Sequence, residues 1–335
     1  MERTAGTRSP LGHRMSKVTV EPTAVTLGHA PTLLGLFPLQ SASSGCGFCA
    51  PGGFLKRRPV ITLTTDFGLA DHFVGVMKGV ILSISPEVDL VDLSHQVAAH
   101  DIVDCAFLVA QSYRYFPPDT IHLVVVDPGV GSNRRPILAT TSHYKFVAPD
   151  NGVLSLLYDR EESCEVRHLT NDQYFLKPVS YTFHGRDIFS PVAAWLSTGV
   201  EVDRFGERIA DYVRLAMPAP LRSPEGTVTG AILKVDSFGN LITNLTPQDI
   251  PELISEKPPS FTIIVNHQTI RRLVTSYSAG RPSELFAILG SSGYLELCTN
   301  QGSASTVLKA SRGDEVKFVP ERSGGHSGLT VHPGP

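Results

Sequence analysis

The sequence predicts an α/β N-terminal domain with a mostly parallel sheet, followed by a small all-β, barrel-like C-terminal domain. Three observations predict it. Between Pro59 and Val126 the apolar segments alternate strand, helix, strand, helix, strand, the pattern of parallel strands joined by crossover helices. Beyond about residue 225 the apolar segments become short and are divided by Gly- and Ser-rich turns, as in small barrels and sandwiches. Between the two, Val213 to Pro224 carries three prolines and no helical periodicity, which marks a linker. The domains are therefore placed at 59–205 and 225–320.

The elements follow in order. Residues 60–65 are a β-branched run that ends at Asp66-Phe-Gly68, a strand entering a loop. Residues 71–84 place Phe73, Val76, Met77, Val80, Ile81 and Ile84 at helical spacing. A strand at 88–93 and a helix at 101–116 (Ile102, Cys105, Leu108, Val109) come next. Residues 121–126 are too apolar to present a wet face, so they read as a central, doubly covered strand. Short strands are expected near 137–140 and 144–148, and helices near 152–158 and 187–198. In the C-terminal part strands are expected at 227–235, 241–243, 261–265, 286–289, 294–298, 305–308 and 315–319.

The ends of the chain differ from this body. Residues 1–58 lack periodicity, are interrupted by five prolines, and hold seven basic against two acidic side chains. That composition suits an organellar transit peptide or an unpatterned upstream extension, and neither belongs to the fold. Residues 321–335, rich in Gly, Ser, His and Pro, read as a frayed tail. The body, 59–320, holds 21 basic and 29 acidic residues, so it has no general attraction for phosphate backbones and nucleic acid is not expected as a partner. No apolar run reaches the roughly 18–20 residues of a membrane span. Five scattered cysteines, an odd number in a long chain, suit a reducing compartment. Cys46 and Cys49 form a CxxC, but no second pair accompanies them to complete a zinc site, and an incidental pair in the leader accounts for them. The expected location is the cytoplasm, or an organelle if the leader is a transit peptide.

In open α/β sheets ligands bind beyond the carboxyl ends of the strands, where Asp66 and Asp127 fall. Asp127 heads the loop Asp127-Pro-Gly-Val-Gly-Ser-Asn-Arg134, whose two glycines do not complete a dinucleotide fingerprint. A turn cap serves equally well as a role for either Asp. Thr182-Phe-His-Gly-Arg-Asp-Ile188 packs a His, an Arg and an Asp before a helix, either as a cap or as the edge of an active site. Asp66, Asp71, His72, Asp92, His95, Asp127 and His184 are of metal-ligating types but show no tight ligand motif. No Gly-x-Ser-x-Gly elbow occurs and no Cys sits beside a base, which leaves water as the attacking group if the protein is a hydrolase.

Six motifs occur in one order: Thr65-Asp-Phe-Gly68, Val126-Asp-Pro-Gly-Val-Gly131, Ala148-Pro-Asp-Asn-Gly152, Thr182-Phe-His-Gly-Arg-Asp187, Asp236-Ser-Phe-Gly-Asn240, and Gly293-Tyr-Leu-Glu296 with Asn300. Together they resemble the S-adenosyl-L-methionine (SAM) hydroxide adenosyltransferase family, adenosine-forming SAM hydrolases related to fluorinase and chlorinase. The resemblance spans about 60–320. It implies that water or hydroxide attacks the ribose C5′ of SAM in line with the sulfonium, giving adenosine and L-methionine without metal or cofactor. It implies a catalytic Asp127, Arg134 and His184, and a ribose-gripping Asp66. Phe183 and Tyr277 would line the nucleoside pocket, while Asp236, Asn240, Ser291 and Glu296, with Asn300 nearby, would hold the methionine end and adenine. The halogenase relatives lack the triad, so hydrolysis is expected over 5′-halo-adenosine formation. A non-catalytic SAM- or adenosine-binding module is the other alternative. The resemblance further implies a homotrimer whose sites lie between one subunit's N-terminal domain and its neighbour's C-terminal domain.

Overall fold

A computed structural model describes residues 57–255 and 260–321. The expected leader, apart from its last two residues, its Cys46/Cys49 pair, and the tail beyond Glu321 lie outside the described residues. The described residues belong to one compact unit. Its N-terminal half runs β1 (Val60–Thr65), α1 (Phe73–Ile84), β2 (Asp89–Ser94), α2 (Ile102–Ser112), β3 (Ile121–Val125), β4 (Pro136–Thr140), β5 (Lys145–Pro149), α3 (Ser155–Tyr158), β6 (Glu165–His168), α4 (Ser190–Ser197) and β7 (Arg208–Ile209).

These seven strands form one sheet in the order β2-β1-β3-β5-β4-β6-β7. The pairings among β2, β1, β3 and β5 are parallel, and those along β5, β4, β6 and β7 are antiparallel. The sheet is therefore mixed, rather than mostly parallel as the sequence pattern suggested. The reason is local: only Thr141–Tyr144 connects β4 to β5, far too short for a crossover, so that pair must be a hairpin.

Side-chain alternation along β3 explains its full burial. Ile121, Leu123 and Val125 face one core with Ile61, Leu63, Met77, Ile81 and Val192. Val124 and Val126 face the other with Cys105, Val109, Tyr113 and Phe146. α1 and α4 thus cover one face, and α2 and α3 the other. α1 carries the chain from β1 to β2 over one face, and α2 carries it back over the opposite face to β3, on the other side of β1. The gap between the carboxyl ends of β1 and β3 is consequently the switch point where open α/β sheets bind ligands.

The C-terminal half contains β8 (Leu221–Arg222), β9 (Val228–Val235), β10 (Leu241–Thr243), β11 (Phe261–Val265), β12 (Gln268–Ile270), β13 (Leu273–Val274), β14 (Leu285–Leu289), β15 (Leu295–Thr299), α5 (Ala304–Leu308) and β16 (Glu315–Pro320). Its sheet runs β12-β11-β16-β9-β10-β15-β14-β13, with β8 paired to β9. The two end strands, β12 and β13, are separated in the chain only by Arg271 and Arg272, so the sheet must curl until its ends approach. The result is a half-barrel around Ile232, Leu241, Ile263, Leu297, Val316 and Phe318. The strand expected at 305–308 is instead helix α5. Ser303 caps it by accepting from Thr306 N at 3.1 Å, and this cap overrides the β-branched Thr306-Val307 pair.

The halves meet where α2 and α3 pack on the half-barrel through Phe107, Leu156, Leu233, Ile242 and Tyr294. Lys234 pairs with Asp104, and Arg312 with Asp101, at the α2 amino end. Among the described residues no helix is long and apolar enough to cross a membrane.

Candidate active site

Asp127 stands two residues past β3 and opens a loop that the structure folds back on itself. Ser132 N and Oγ both donate to Gly129 O, at 3.1 and 2.6 Å, and Ser132 Oγ accepts from Arg134 N at 3.3 Å. From the end of β5, Asn151 Nδ2 donates to Val126 O at 2.9 Å and fixes the loop's base. A second loop, 176–187, is organised by the fully buried Asp187, which accepts from Ser180 N at 2.8 Å and from Arg186 Nε at 2.6 Å. The two loops press together at Gly131. Its φ is +76°, and a Cβ there would lie 2.3 Å from the Tyr181 carbonyl oxygen, so only glycine allows the approach.

That approach brings Asp127, Arg134 and His184 into one group. Arg134 Nε donates to both Asp127 carboxylate oxygens at 2.9 Å, and Nη2 also bonds Oδ2. The two side chains are 8% and 5% exposed, so solvent screens the pair little. Arg134 Nη2 lies 2.7 Å from His184 Nδ1. A guanidinium only donates, so Nδ1 must offer its lone pair and the imidazole proton is assigned to Nε2. Burial, then the Arg134 cation, hold His184 below the ordinary imidazole range despite the opposing carboxylates of Asp127 and Asp187. The Phe189 ring, 5.1 Å from Arg134 Cζ, supports the guanidinium. Arg134 Nη1 is buried with no protein acceptor, a cost that a water or ligand atom at this position would remove.

Asp66 follows β1 on the other side of the switch point. Its Oδ2 accepts from His100 N at 2.9 Å. Phe67 packs edge-on to Phe183, with ring centroids 6.0 Å apart, which joins the Asp66 loop to the His184 loop. Phe183 itself is largely buried against Phe67 and Phe73, with the Arg186 guanidinium over its ring at 5.3 Å. Asp92 and His95 do not join Asp127; they bond to Lys78 and Thr65 instead. Among the described residues no three His, Cys, Asp or Glu side chains converge as a metal-binding group.

The remaining candidates gather on the half-barrel. Asp236 Oδ1 accepts from Phe238 N and Asn240 N at 2.8 Å, and Oδ2 from Asn240 Nδ2 at 2.9 Å. Glu296 is buried and accepts from Tyr277 OH at 2.9 Å and Ser292 Oγ at 3.2 Å. Burial, then Glu296, raise the Tyr277 hydroxyl pKa, with Asp236 also contributing. Asn300 Nδ2 donates to Gly280 O at 2.8 Å. Ser291 is exposed in the turn before β15. Among the described residues no hydrogen bond, ion pair or ring contact joins these side chains to the Asp127 group. Two concavities of about 810 Å³ lie elsewhere, one at the amino ends of β1 and β3 and one at the β6–β7 edge. Neither borders the Asp127 group.

Residues 61–206 match the model of the SAM hydroxide adenosyltransferase N-terminal domain, and 230–317 match that of its C-terminal domain. The chain belongs to the SAM hydroxide adenosyltransferase family. It is 35% identical over 266 residues to a protein of Salinispora tropica named (R)-S-adenosyl-L-methionine hydrolase, covering 78% of this chain and 98% of that one. It is 25% identical over 290 residues to a Nocardia brasiliensis protein named fluorinase, covering 78% and 97%. An uncharacterized conserved protein of Thermotoga maritima has a similar solved structure, with a TM-score of 0.72 and 36% identity over 78% of this chain and 99% of that one.

The structure gives several residues of this site parts that the sequence does not reveal. The motif displays Asp187, but only the structure shows it as the buried acceptor that shapes loop 176–187. Phe189, in sequence one more residue of an apolar helix, carries the Arg134 guanidinium over its ring. Ser292, rather than Ser291, is the serine bonded to Glu296. Thr65 and His95, in sequence a motif residue and a metal-ligating type, are bonded to each other.

Proposed function

We infer that this protein hydrolyses SAM to adenosine and L-methionine. The observation that carries the reading is the Asp127–Arg134–His184 group at the switch point of a chain in this family. The hydrolase relatives are named for the (R) sulfonium epimer, and we extend that preference to this chain.

The chemistry asks little of a leaving-group acid, because the sulfonium departs as a neutral thioether. Alignment and desolvation are the main tasks. A water held near the triad attacks ribose C5′ opposite sulfur. The C–O bond forms as the C–S bond breaks, and the bonding pair passes to the methionine sulfur. The proton lost from the water goes to Asp127, whose Oδ1 accepts only one Arg134 bond and keeps a lone pair free. Arg134 Nη1 and His184 Nε2–H are the donors that orient the water's oxygen. Asp66, free on Oδ1, accepts from the ribose hydroxyls. Phe183 and Tyr277 line the nucleoside side, and Asp236, Asn240, Ser291, Glu296 and Asn300 take the amino-acid end and adenine. No step requires a metal or cofactor.

Because the half-barrel group stands apart from the Asp127 group within one chain, we propose that a neighbouring copy completes each site, in a homotrimer. The free thiols Cys105, Cys164 and Cys298 suit the cytoplasm, where we place the enzyme. A reporter fused to residues 1–58 that collected in an organelle would move it there.

The deciding experiment incubates the protein with SAM, with and without EDTA and with chloride or fluoride. Adenosine and methionine in equal amounts, unaffected by EDTA, are expected. A 5′-halo-adenosine product would make it a halogenase, saturable binding without product a sensor module, and loss of activity in EDTA a metal enzyme.

A further inference from the structure

The loop that carries Asp66 is clamped by a segment with no part in the reading above. Thr65 Oγ1 lies 2.9 Å from His95 Nδ1 and also accepts from Phe67 N at 3.3 Å. Gly68 N donates to His95 O at 2.7 Å. Asp66 is thus flanked on both sides by residues bonded to one buried histidine. Behind His95, Asp92 Oδ1 stands 2.9 Å from Nε2, somewhat off the N–H direction, and Asp92 Oδ2 is 2.6 Å from Lys78 Nζ on α1. The carboxylate beside Nε2 favours the proton there, which leaves Nδ1 to accept from the Thr65 hydroxyl. The same segment continues to His100, whose φ of +67° is costly for a non-glycine residue and whose N–H meets Asp66 Oδ2.

We infer that His95 is a positioning residue: through Thr65 and the Gly68 amide it sets the direction of the Asp66 carboxylate toward the ribose hydroxyls. This rests on the reading of Asp66 as the ribose-binding group. A chain running from Lys78 through Asp92 and His95 to Thr65 spans α1, β2 and β1, which anchors a short loop to three packed elements. A loop held only by its own backbone would let the carboxylate rotate, at a loss of the close geometry that charged hydrogen bonds need.

The test compares binding of adenosine and 2′,3′-dideoxyadenosine by calorimetry in the full chain and in Thr65→Val, His95→Gln and Asp66→Asn, alone and combined. Thr65→Val is nearly isosteric and serves if His95→Gln fails to fold. The expected result is an adenosine affinity about tenfold weaker in Thr65→Val and His95→Gln, the size of one charge-assisted hydrogen bond. Dideoxyadenosine affinity should be unchanged, and the effect should disappear in the Asp66→Asn background. Equal losses for both nucleosides, or losses that simply add to that of Asp66→Asn, would overturn the inference and leave His95 structural. If the unaltered protein binds adenosine no better than its dideoxy analogue, the ribose role of Asp66 fails first, and the two failures are told apart.

Discussion

Arg134 Nη2 lies 2.7 Å from His184 Nδ1, so the imidazole's one basic nitrogen is spent on a neighbouring cation. Protonation of His184 would set two donors face to face. Burial and Arg134 both depress its pKa. A depressed imidazole pKa means that the folded state binds fewer protons than the unfolded one just below the unfolded value, near 6.5. The contribution to stability is therefore full above that pH and lost as pH falls through the folded value. The His184 ring signals should titrate in NMR below the ordinary imidazole value, and Arg134→Met should move the titration upward. Titration at or above the ordinary value in the unaltered protein would contradict the pairing.

Replacing the fork of Arg134 by a single ammonium removes the paired grip on Asp127 and the bond to His184 together. Arg134→Lys should lower kcat by about 10²–10³, the usual cost of one preorganised donor. Adenosine binding measured by calorimetry should survive, since the proposed mechanism turns Arg134 to the attacking water rather than to the nucleoside. A kcat within a few-fold of the original would remove the guanidinium from the mechanism.

Gly131 is where the two loops meet. In Gly131→Ala the Cβ meets the Tyr181 carbonyl and the φ of +76° is disfavoured, so the loops must separate. A loss of about 1–3 kcal/mol in chemical denaturation is expected. The fall in kcat should exceed that of an equally destabilised variant remote from the site.

His122 gives the fold a separate acid weakness. It is fully buried on β3, bonded to Thr62 Oγ1 at 2.8 Å and stacked on Phe146. Burial pushes its pKa down to about 3. Between there and the unfolded value near 6.5 the unfolded chain takes up a proton that the folded one refuses, so stability falls as pH falls. By pH 5 this group alone should cost about 2 kcal/mol. His122→Leu should flatten that part of a urea-denaturation profile against pH, and an unchanged slope would count against the assignment.

If a neighbouring copy completes each site, two inactive variants should rescue one another. Asp127→Asn damages the α/β group, and Glu296→Ala damages the half-barrel group. Mixed after dissociation and reassembly, they should regain a fraction of the original turnover, with light scattering reporting a trimer. A monomer, or a mixture as inactive as its parts, would place the whole site within one chain.

Much of both halves is legible in the sequence. β1, β10 and β11 fall where their β-branched runs stop, and the doubly apolar 121–126 segment supplies the fully buried interior strand β3, because local composition and burial agree there. The strand direction beyond β5 was not readable, since it turns on the length of a four-residue connection rather than on periodicity. The short strands β6, β7, β8, β12 and β13 leave no mark in the sequence, because two to four residues carry no pattern and their pairing comes from neighbours.

By itself the sequence determined the alternation of elements, the two acidic loop heads at the switch point, and six ordered motifs that resemble one family. Only the tertiary structure decided that Arg134 bridges Asp127 and His184, because a hydrogen bond between residues fifty apart exists only once Gly131 lets two loops close on each other. It also decided that His95 Nδ1 meets Thr65 Oγ1, and that among the described residues no hydrogen bond, ion pair or ring contact joins the half-barrel side chains to the Asp127 group. Those are matters of distance and direction, and residue order encodes them only through the whole packed fold.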